Sequence, residues 1–216
     1  MGGDLAIPAQ FALALFQLID LLVRGELRPG DVIVERRIAE FLNASRTPVR
    51  EALGRLEAEG LVHKQTNRGV TVSPFSIEAF VDLLNVRQLL EAEASRLAAG
   101  RIPPDRVESI RNSLTELSQK ANPSLAEVWE VDNLLHGEIA NASGNPLLAS
   151  MITDLRRRTH VFNAYRAPTA HKFAEDENFI LLDAVASGDS ERARAAMVTH
   201  IDRVKSAIIN QLSTAR

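Results

Sequence analysis

The sequence predicts a mainly α-helical protein in two parts: a winged helix-turn-helix over residues 1–74 and an all-helical bundle over residues 75–216. Three observations carry this expectation. Apolar residues recur at three- and four-residue spacing through most of the chain. Strand-like alternation is confined to one stretch after Gly60, and aromatic residues make up only 5% of the chain. Breaks rich in proline and glycine then divide the second part into helix-sized pieces.

In the first part, helices are expected at about 9–24, 35–42 and 46–59, with the turn Leu27-Arg28-Pro29-Gly30 after the first. The run Leu61-Val62-His63-Lys64-Gln65 meets Val70-Thr71-Val72 across Thr66-Asn67-Arg68-Gly69, a β-hairpin with a glycine-containing loop. Three helices followed by a two-stranded ribbon is the order of a winged helix-turn-helix. From Ser76 onward, breaks at Gly100 to Pro104, Ala121 to Pro123, Ser143 to Pro146, Ala167 to Pro168 and Ser187 to Asp189 leave about six helices.

Composition narrows the class. A chain of 216 residues, 45% hydrophobic and 25% charged, has the balance of a folded globular protein. It contains no cysteine, so a disulfide framework, a thiolate zinc finger and a cysteine nucleophile are excluded. The apolar stretch from Leu5 to Val23 is interrupted by Pro8, Gln10, Gln17 and Asp20, and it reads as an amphipathic helix of a cytoplasmic protein with no membrane partner. The net charge of −3 conceals a local excess: residues 36–68 hold seven basic side chains against four acidic ones. Positive charge is therefore concentrated where a nucleic-acid contact would fall.

The helix at about 46–59 has the chemistry for that contact. Ser45 is a favourable N-cap, and Pro48 is tolerated in the first turn, where amides have no intrahelical partner to lose. Val49, Ala52, Leu53 and Leu56 form the expected buried stripe, leaving Arg46 and Arg50, with Thr47, on another face. Guanidinium forks, a hydroxyl and the positive end of a helix suit phosphates and guanine edges. Arg36 and Arg37 on the preceding helix are placed to reach the DNA backbone, and Asn67, Arg68 and Gly69 at the wing tip suit a minor groove.

The segments Glu35-Arg36-Arg37-Ile38-Ala39-Glu40 and Ser45-Arg46-Thr47-Pro48-Val49-Arg50-Glu51-Ala52-Leu53 closely resemble the GntR superfamily of transcriptional regulators. Arg55-Leu56-Glu57-Ala58-Glu59-Gly60-Leu61-Val62 and Asn67-Arg68-Gly69 extend the match. The resemblance implies that Arg36, Arg46 and Arg50 contact DNA, that Ser45 and Thr47 assist, and that the wing inserts at Arg68-Gly69. It also implies a homodimer on a short palindromic operator. Val86-Arg87-Gln88-Leu89-Leu90-Glu91, Asn141 to Leu148, Leu182 to Asp189 and Met197-Val198-Thr199-His200 carry the likeness onward, to the FadR-like branch with its all-helical effector domain, FCD.

Asp132 and His136 are four residues apart and share a helix face, a spacing that allows both to meet one ion. Such pairs also occur as hydrogen-bonded core or surface residues. Many FCD domains resemble one another in an Asp and three His converging on a divalent metal, and Asp132, His136 and His200 match three of those positions. The fourth aligns with Asn178, after Glu177. Its amide oxygen is a neutral, harder ligand than imidazole, so zinc or nickel should bind less tightly, or water should fill the position; zinc, nickel and manganese are the candidate ions.

The resemblance implies a small organic acid as effector. Arg87 is a candidate to pair with its carboxylate, or to form a salt bridge with Glu91. His63, His160 and His171 read as structural or surface residues. Of Arg156, Arg157 and Arg158, at least two read as solvated and one faces the pocket. The leading reading is a DNA-binding regulator, a repressor, whose effector alters the spacing of two winged domains. A regulator with metal as its signal is an alternative. A metal-dependent hydrolase lacks an evident general base and a second acidic cluster, so the chain is read as a non-enzyme.

Overall fold

Ala14, Leu18, Leu21 and Leu22 repeat at helical spacing, and burying that stripe builds α1 (Ala9–Val23) against α3 (Arg46–Ala58). Between them lie a two-residue strand, β1 (Val32–Ile33), and α2 (Glu35–Phe41). At the turn after α2, Asn43 adopts a positive φ of 49° and the Ala44 amide donates back to the Ala39 carbonyl at 2.9 Å. Asparagine tolerates this left-handed conformation better than most residues, which lets the chain reverse within four residues and start α3.

Ser45 occupies the N-cap position of α3 in an extended conformation, but its hydroxyl makes no capping bond. The residue stands where the sequence places it without the hydrogen bond that usually justifies it. Val49, Ala52, Leu53 and Leu56 are buried, as the periodicity predicts. The hairpin is also present: β2 (Val62–Gln65) pairs antiparallel with β3 (Gly69–Val72), with Val62 opposite Val72 and Gln65 opposite Gly69.

The sheet has a third member absent from the sequence reading, since β1 adds to the far side of β3 to give the order β1-β3-β2. Two residues are too few to show alternation. Gly69 is required here by its backbone: its φ is 88°, and a Cβ would lie 3.2 Å from the Ile33 carbonyl oxygen of β1.

This computed structural model describes residues 9–65, 69–74, 76–166 and 175–214, in two units, Met1–Ser76 and Ile77–Arg216. Within the second unit the described residues form six helices: α4 (Ile77–Ala98), α5 (Pro104–Ser118), α6 (Leu125–Ala142), α7 (Pro146–Arg166), α8 (Glu175–Ala186) and α9 (Ser190–Thr214). Helix α4 is the axis, packing against α6, α7 and α9, while α8 packs against α5 and α9. Phe80, Leu84, Ile110, Leu135, Ile139, Ile152 and Met197 are buried among them.

The helix starts carry local signals. Ser124 and Glu127 form a capping box at α6. Asn145 Oδ1 accepts from the Leu148 amide at 3.1 Å, and Pro146 opens α7. These caps fix where α6 and α7 begin, and so which of their side chains face α4. Among the described residues no helix is long and apolar enough to cross a membrane.

Candidate functional site

The N-terminal unit exposes Arg36, Ser45, Arg46, Thr47 and Arg50. Arg46 and Arg50 lie one turn apart on α3, and both point toward Glu35 at the start of α2. Arg50 donates from Nε and Nη2 to Glu35 Oε2 at 3.1 and 3.0 Å, with Arg46 Nη2 at 3.9 Å from the same oxygen. Arg36 pairs loosely with Glu40 at 3.7 Å. Glu35 therefore gathers the two α3 arginines onto one face in a contact open to solvent. Asn67 and Arg68 lie outside the described residues, and Gly69 begins the second strand of the wing. His63, on β2, rests against the Ser73 hydroxyl at 3.3 Å.

In the C-terminal unit, charged and polar groups from α4, α6, α7, α8 and α9 are buried within the bundle. Glu91 on α4 accepts from Arg87 Nε at 2.6 Å through Oε1, and its Oε2 lies 2.5 Å from His136 Nδ1 on α6. That carboxylate fixes the imidazole proton on Nδ1 and leaves Nε2 as a bare lone pair. His136 Nε2 stands 3.6 Å from Asp132 Oδ1, one turn earlier on α6. Asp132 Oδ2 is occupied by Arg156 Nη2 at 2.5 Å and His160 Nε2 at 3.3 Å, both on α7. His200 on α9 completes the group, with its ring centroid 5.0 Å from that of His136.

Burial pushes the histidines down. His160 falls to about 4, with Arg156 and Arg87 adding to the burial effect against Asp132. His200 falls to about 3, through burial and then its neighbour His136. His136 is lowered by burial and by Arg156, against the pull of Glu91 and Asp132. For the two carboxyls burial works upward, but adjacent positive charge outweighs it. Arg87, His136 and Arg156 hold Glu91 well below the usual carboxylate range, and Arg156, His136 and His160 do the same for Asp132. Two guanidinium cations thus balance two carboxylates around neutral imidazoles.

Whether these residues suit a divalent ion is tested by their unpaired atoms. Ligand atoms of Asp132, His136 and His200 lie within 4.8 Å of one another. His136 Nε2, Asn178 Oδ1 and His200 Nδ1 are buried with no hydrogen-bond partner. A buried polar atom left unpaired costs about 1–3 kcal/mol, so His136 Nε2, unpaired within the Asp132–His136–His200 cluster, marks a place suited to receive a ligand. A carboxylate, neutral imidazoles and an amide oxygen are a donor set for a divalent cation of borderline to hard character. The residues fit such an ion. A cleft of about 280 Å³ between α8 and α9, lined by Glu177, Ile180, Ala184, Thr199, His200 and Arg203, reaches this group at His200.

Three features depart from the sequence reading or go beyond it. His160 is not an isolated structural residue, since it bonds Asp132 and packs tilted against Trp129 with ring centroids 3.5 Å apart. Of the arginine run, Arg156 is the one that turns inward and is fully buried, while Arg157 and Arg158 are partly exposed. Glu91 emerges as the carboxylate joining Arg87 to His136. Arg87 itself is buried in the Glu91 ion pair. His171 lies outside the described residues. The spacing of Arg156 and His160, one helical turn apart, was the available signal for a shared partner.

Comparison with known proteins assigns both units. Residues 15–72 match the model for bacterial regulatory proteins of the gntR family, and residues 82–203 match the FCD domain. The chain is 31% identical over 209 residues to the HTH-type transcriptional regulator LutR of Bacillus subtilis (strain 168), covering 86% of this chain and 94% of LutR. It is 26% identical over 183 residues to the Nta operon transcriptional regulator of Aminobacter aminovorans, covering 85% and 87%. McbR/YncC of E. coli shares the fold, with a TM-score of 0.81 at 24% identity over 94% of this chain and 99% of that one. The chain belongs to the gntR family of bacterial regulatory proteins, as a DNA-binding transcriptional regulator with a C-terminal FCD effector domain.

Proposed function

We propose that the protein is a homodimeric repressor that holds a short palindromic operator through residues 1–74 and releases it when a small organic acid enters the helical domain, residues 75–216. Arg46 and Arg50 read base edges in the major groove. Ser45, Thr47 and Arg36 hold phosphates, and Asn67, Arg68 and Gly69 carry the wing into the minor groove. Asp132, His136, Asn178 and His200 hold a divalent ion, with zinc, nickel and manganese as candidates.

What supports the metal reading is the cluster of Asp132, His136 and His200, whose ligand atoms lie within 4.8 Å of one another, with His136 Nε2 buried and unpaired 3.6 Å from Asp132 Oδ1. A bound ion would supply positive charge for an acid's carboxylate. The chain's own residues do the rest. Glu91 keeps the His136 proton on Nδ1, and Arg156 with His160 holds Asp132 Oδ2, turning Oδ1 toward the histidine. Arg87 adds positive charge to the effector's surroundings. An acid that binds one arrangement of the dimer better than the other shifts operator affinity by that difference.

The experiment measures metal content after chelator-free purification, then operator binding by fluorescence anisotropy with chelator, with each metal, and with added organic acids. The proposal expects about one ion per chain and an acid-dependent loss of operator affinity. Metal alone changing affinity, with no acid effective, would assign the signal to the ion instead. Metal-free protein whose operator binding responds to nothing added would contradict the site.

A further inference from the structure

Among the buried unpaired atoms of the C-terminal unit, two opposite kinds stand out. His136 Nε2 and Asn178 Oδ1 offer lone pairs, the chemistry of a cation site. Arg156 Nε and Nη1 offer N–H groups instead, and neither has an acceptor. Arg156 is among the largest fully buried side chains, at 1% exposure. Its third nitrogen, Nη2, donates to the Asp132 carbonyl at 3.0 Å and to Asp132 Oδ2 at 2.5 Å.

That double contact braces the guanidinium from α6 while leaving its other two nitrogens unsatisfied. The nearest carboxylate oxygen, Glu91 Oε2, lies 3.6 Å from Nη1, beyond hydrogen-bond distance, and is already taken by His136 Nδ1. Protein interiors rarely leave charged donors in this state without something to complete them.

We infer that Arg156 is the direct anchor of the effector: a small carboxylate accepts from its Nε and Nη1 beside the Asp132 group. Carboxylate oxygens supply the acceptor lone pairs that Nε and Nη1 of the braced guanidinium lack, in charge-assisted bonds of the strong kind. Arg87 differs, because its Nε is engaged by Glu91 at 2.6 Å. This inference rests on the organic-acid reading above and assigns the contact within it.

The test titrates acetate, succinate and benzoate into the full-length protein with saturating zinc, by calorimetry, for the wild type and Arg156→Lys. Lysine keeps the positive charge near Asp132 but loses the guanidinium donors. At least one acid is expected to bind the wild type and to bind Arg156→Lys at least tenfold more weakly, with the circular dichroism spectrum unchanged. Equal affinity in both proteins would overturn the anchor alone. Failure of every acid to bind the wild type would overturn the organic-acid reading and the anchor with it. If Arg156→Lys does not fold, the wild-type Arg156 Nε–H is followed by 15N NMR. A shifted, exchange-protected resonance on acid saturation is expected, and an unmoved one would refute the contact.

Discussion

Replacing Glu35 with Gln should tighten the grip of the N-terminal unit on DNA of any sequence. Glu35 Oε2 accepts two hydrogen bonds from Arg50, at 3.1 and 3.0 Å, and stands 3.9 Å from Arg46. Both arginines are more than 60% exposed, so each pair is screened by water. Exposed pairs of this kind contribute no more than about 1 kcal/mol, and their loss should leave folding stability within about 0.5 kcal/mol of the original. On DNA the balance differs, because the carboxylate competes with phosphates and bases for the same guanidinium groups. Removing it should gain about 1 kcal/mol, roughly fivefold in affinity, on cognate and random duplexes alike. Arg50→Ala should instead cost about 1–3 kcal/mol on the cognate duplex, with a smaller loss on random DNA, if Arg50 reads a guanine. Anisotropy titrations at several salt concentrations measure both changes, and the double substitution gives their coupling. Unchanged or weakened DNA binding in Glu35→Gln would refute the view that Glu35 restrains the DNA-contacting arginines.

Further outcomes follow from the C-terminal unit. Asn178→His should strengthen zinc binding by calorimetry at least tenfold, since an imidazole replaces a weaker amide ligand; no gain would place Asn178 outside the ligand set. Ser124→Ala should cost about 1 kcal/mol in urea unfolding through loss of the α6 cap. It should also raise the Glu127 midpoint from about 2, where Lys120 and then Ser124 hold it. Because that carboxyl is depressed, its contribution is present above the ordinary carboxylate range and disappears as pH falls toward about 2, which NMR titration follows. Gly100→Ala should destabilise by at least about 1–2 kcal/mol, because Gly100 has a φ of 71° and a Cβ would lie 3.2 Å from Gly188 Cα. A stability equal to the parent's would show that this close approach relaxes freely.

Much of the fold was legible because its signals are local. The buried stripe of α3 follows from Val49, Ala52, Leu53 and Leu56, and the hairpin from its alternation and Gly69. The helix breaks follow from proline, glycine and capping residues such as Asn145. Strand β1 was not legible, because Val32 and Ile33 become a strand only by pairing with Val70 and Thr71. The buried network was partly legible for a similar reason. The Asp132 and His136 spacing is visible on one helix, but Arg156 and His160 matter through a partner on another. Periodicity shows that they share a face of α7 without showing that α6 lies against it. Three arginines in a row also suggest solvent, whereas Asp132 and Glu91 make burial of Arg156 tolerable.

The most direct test of the account measures operator affinity of the full-length protein while metal and organic acid are varied independently. Operator affinity should fall when acid is added to metal-loaded protein, and that response should be reduced at least tenfold in sensitivity by Arg156→Lys. Asp132→Asn should lower metal affinity in the same preparation. Operator binding that ignores both metal and acid, with Asp132→Asn and Arg156→Lys indistinguishable from the parent, would contradict the assignment of the buried C-terminal group as the regulatory site.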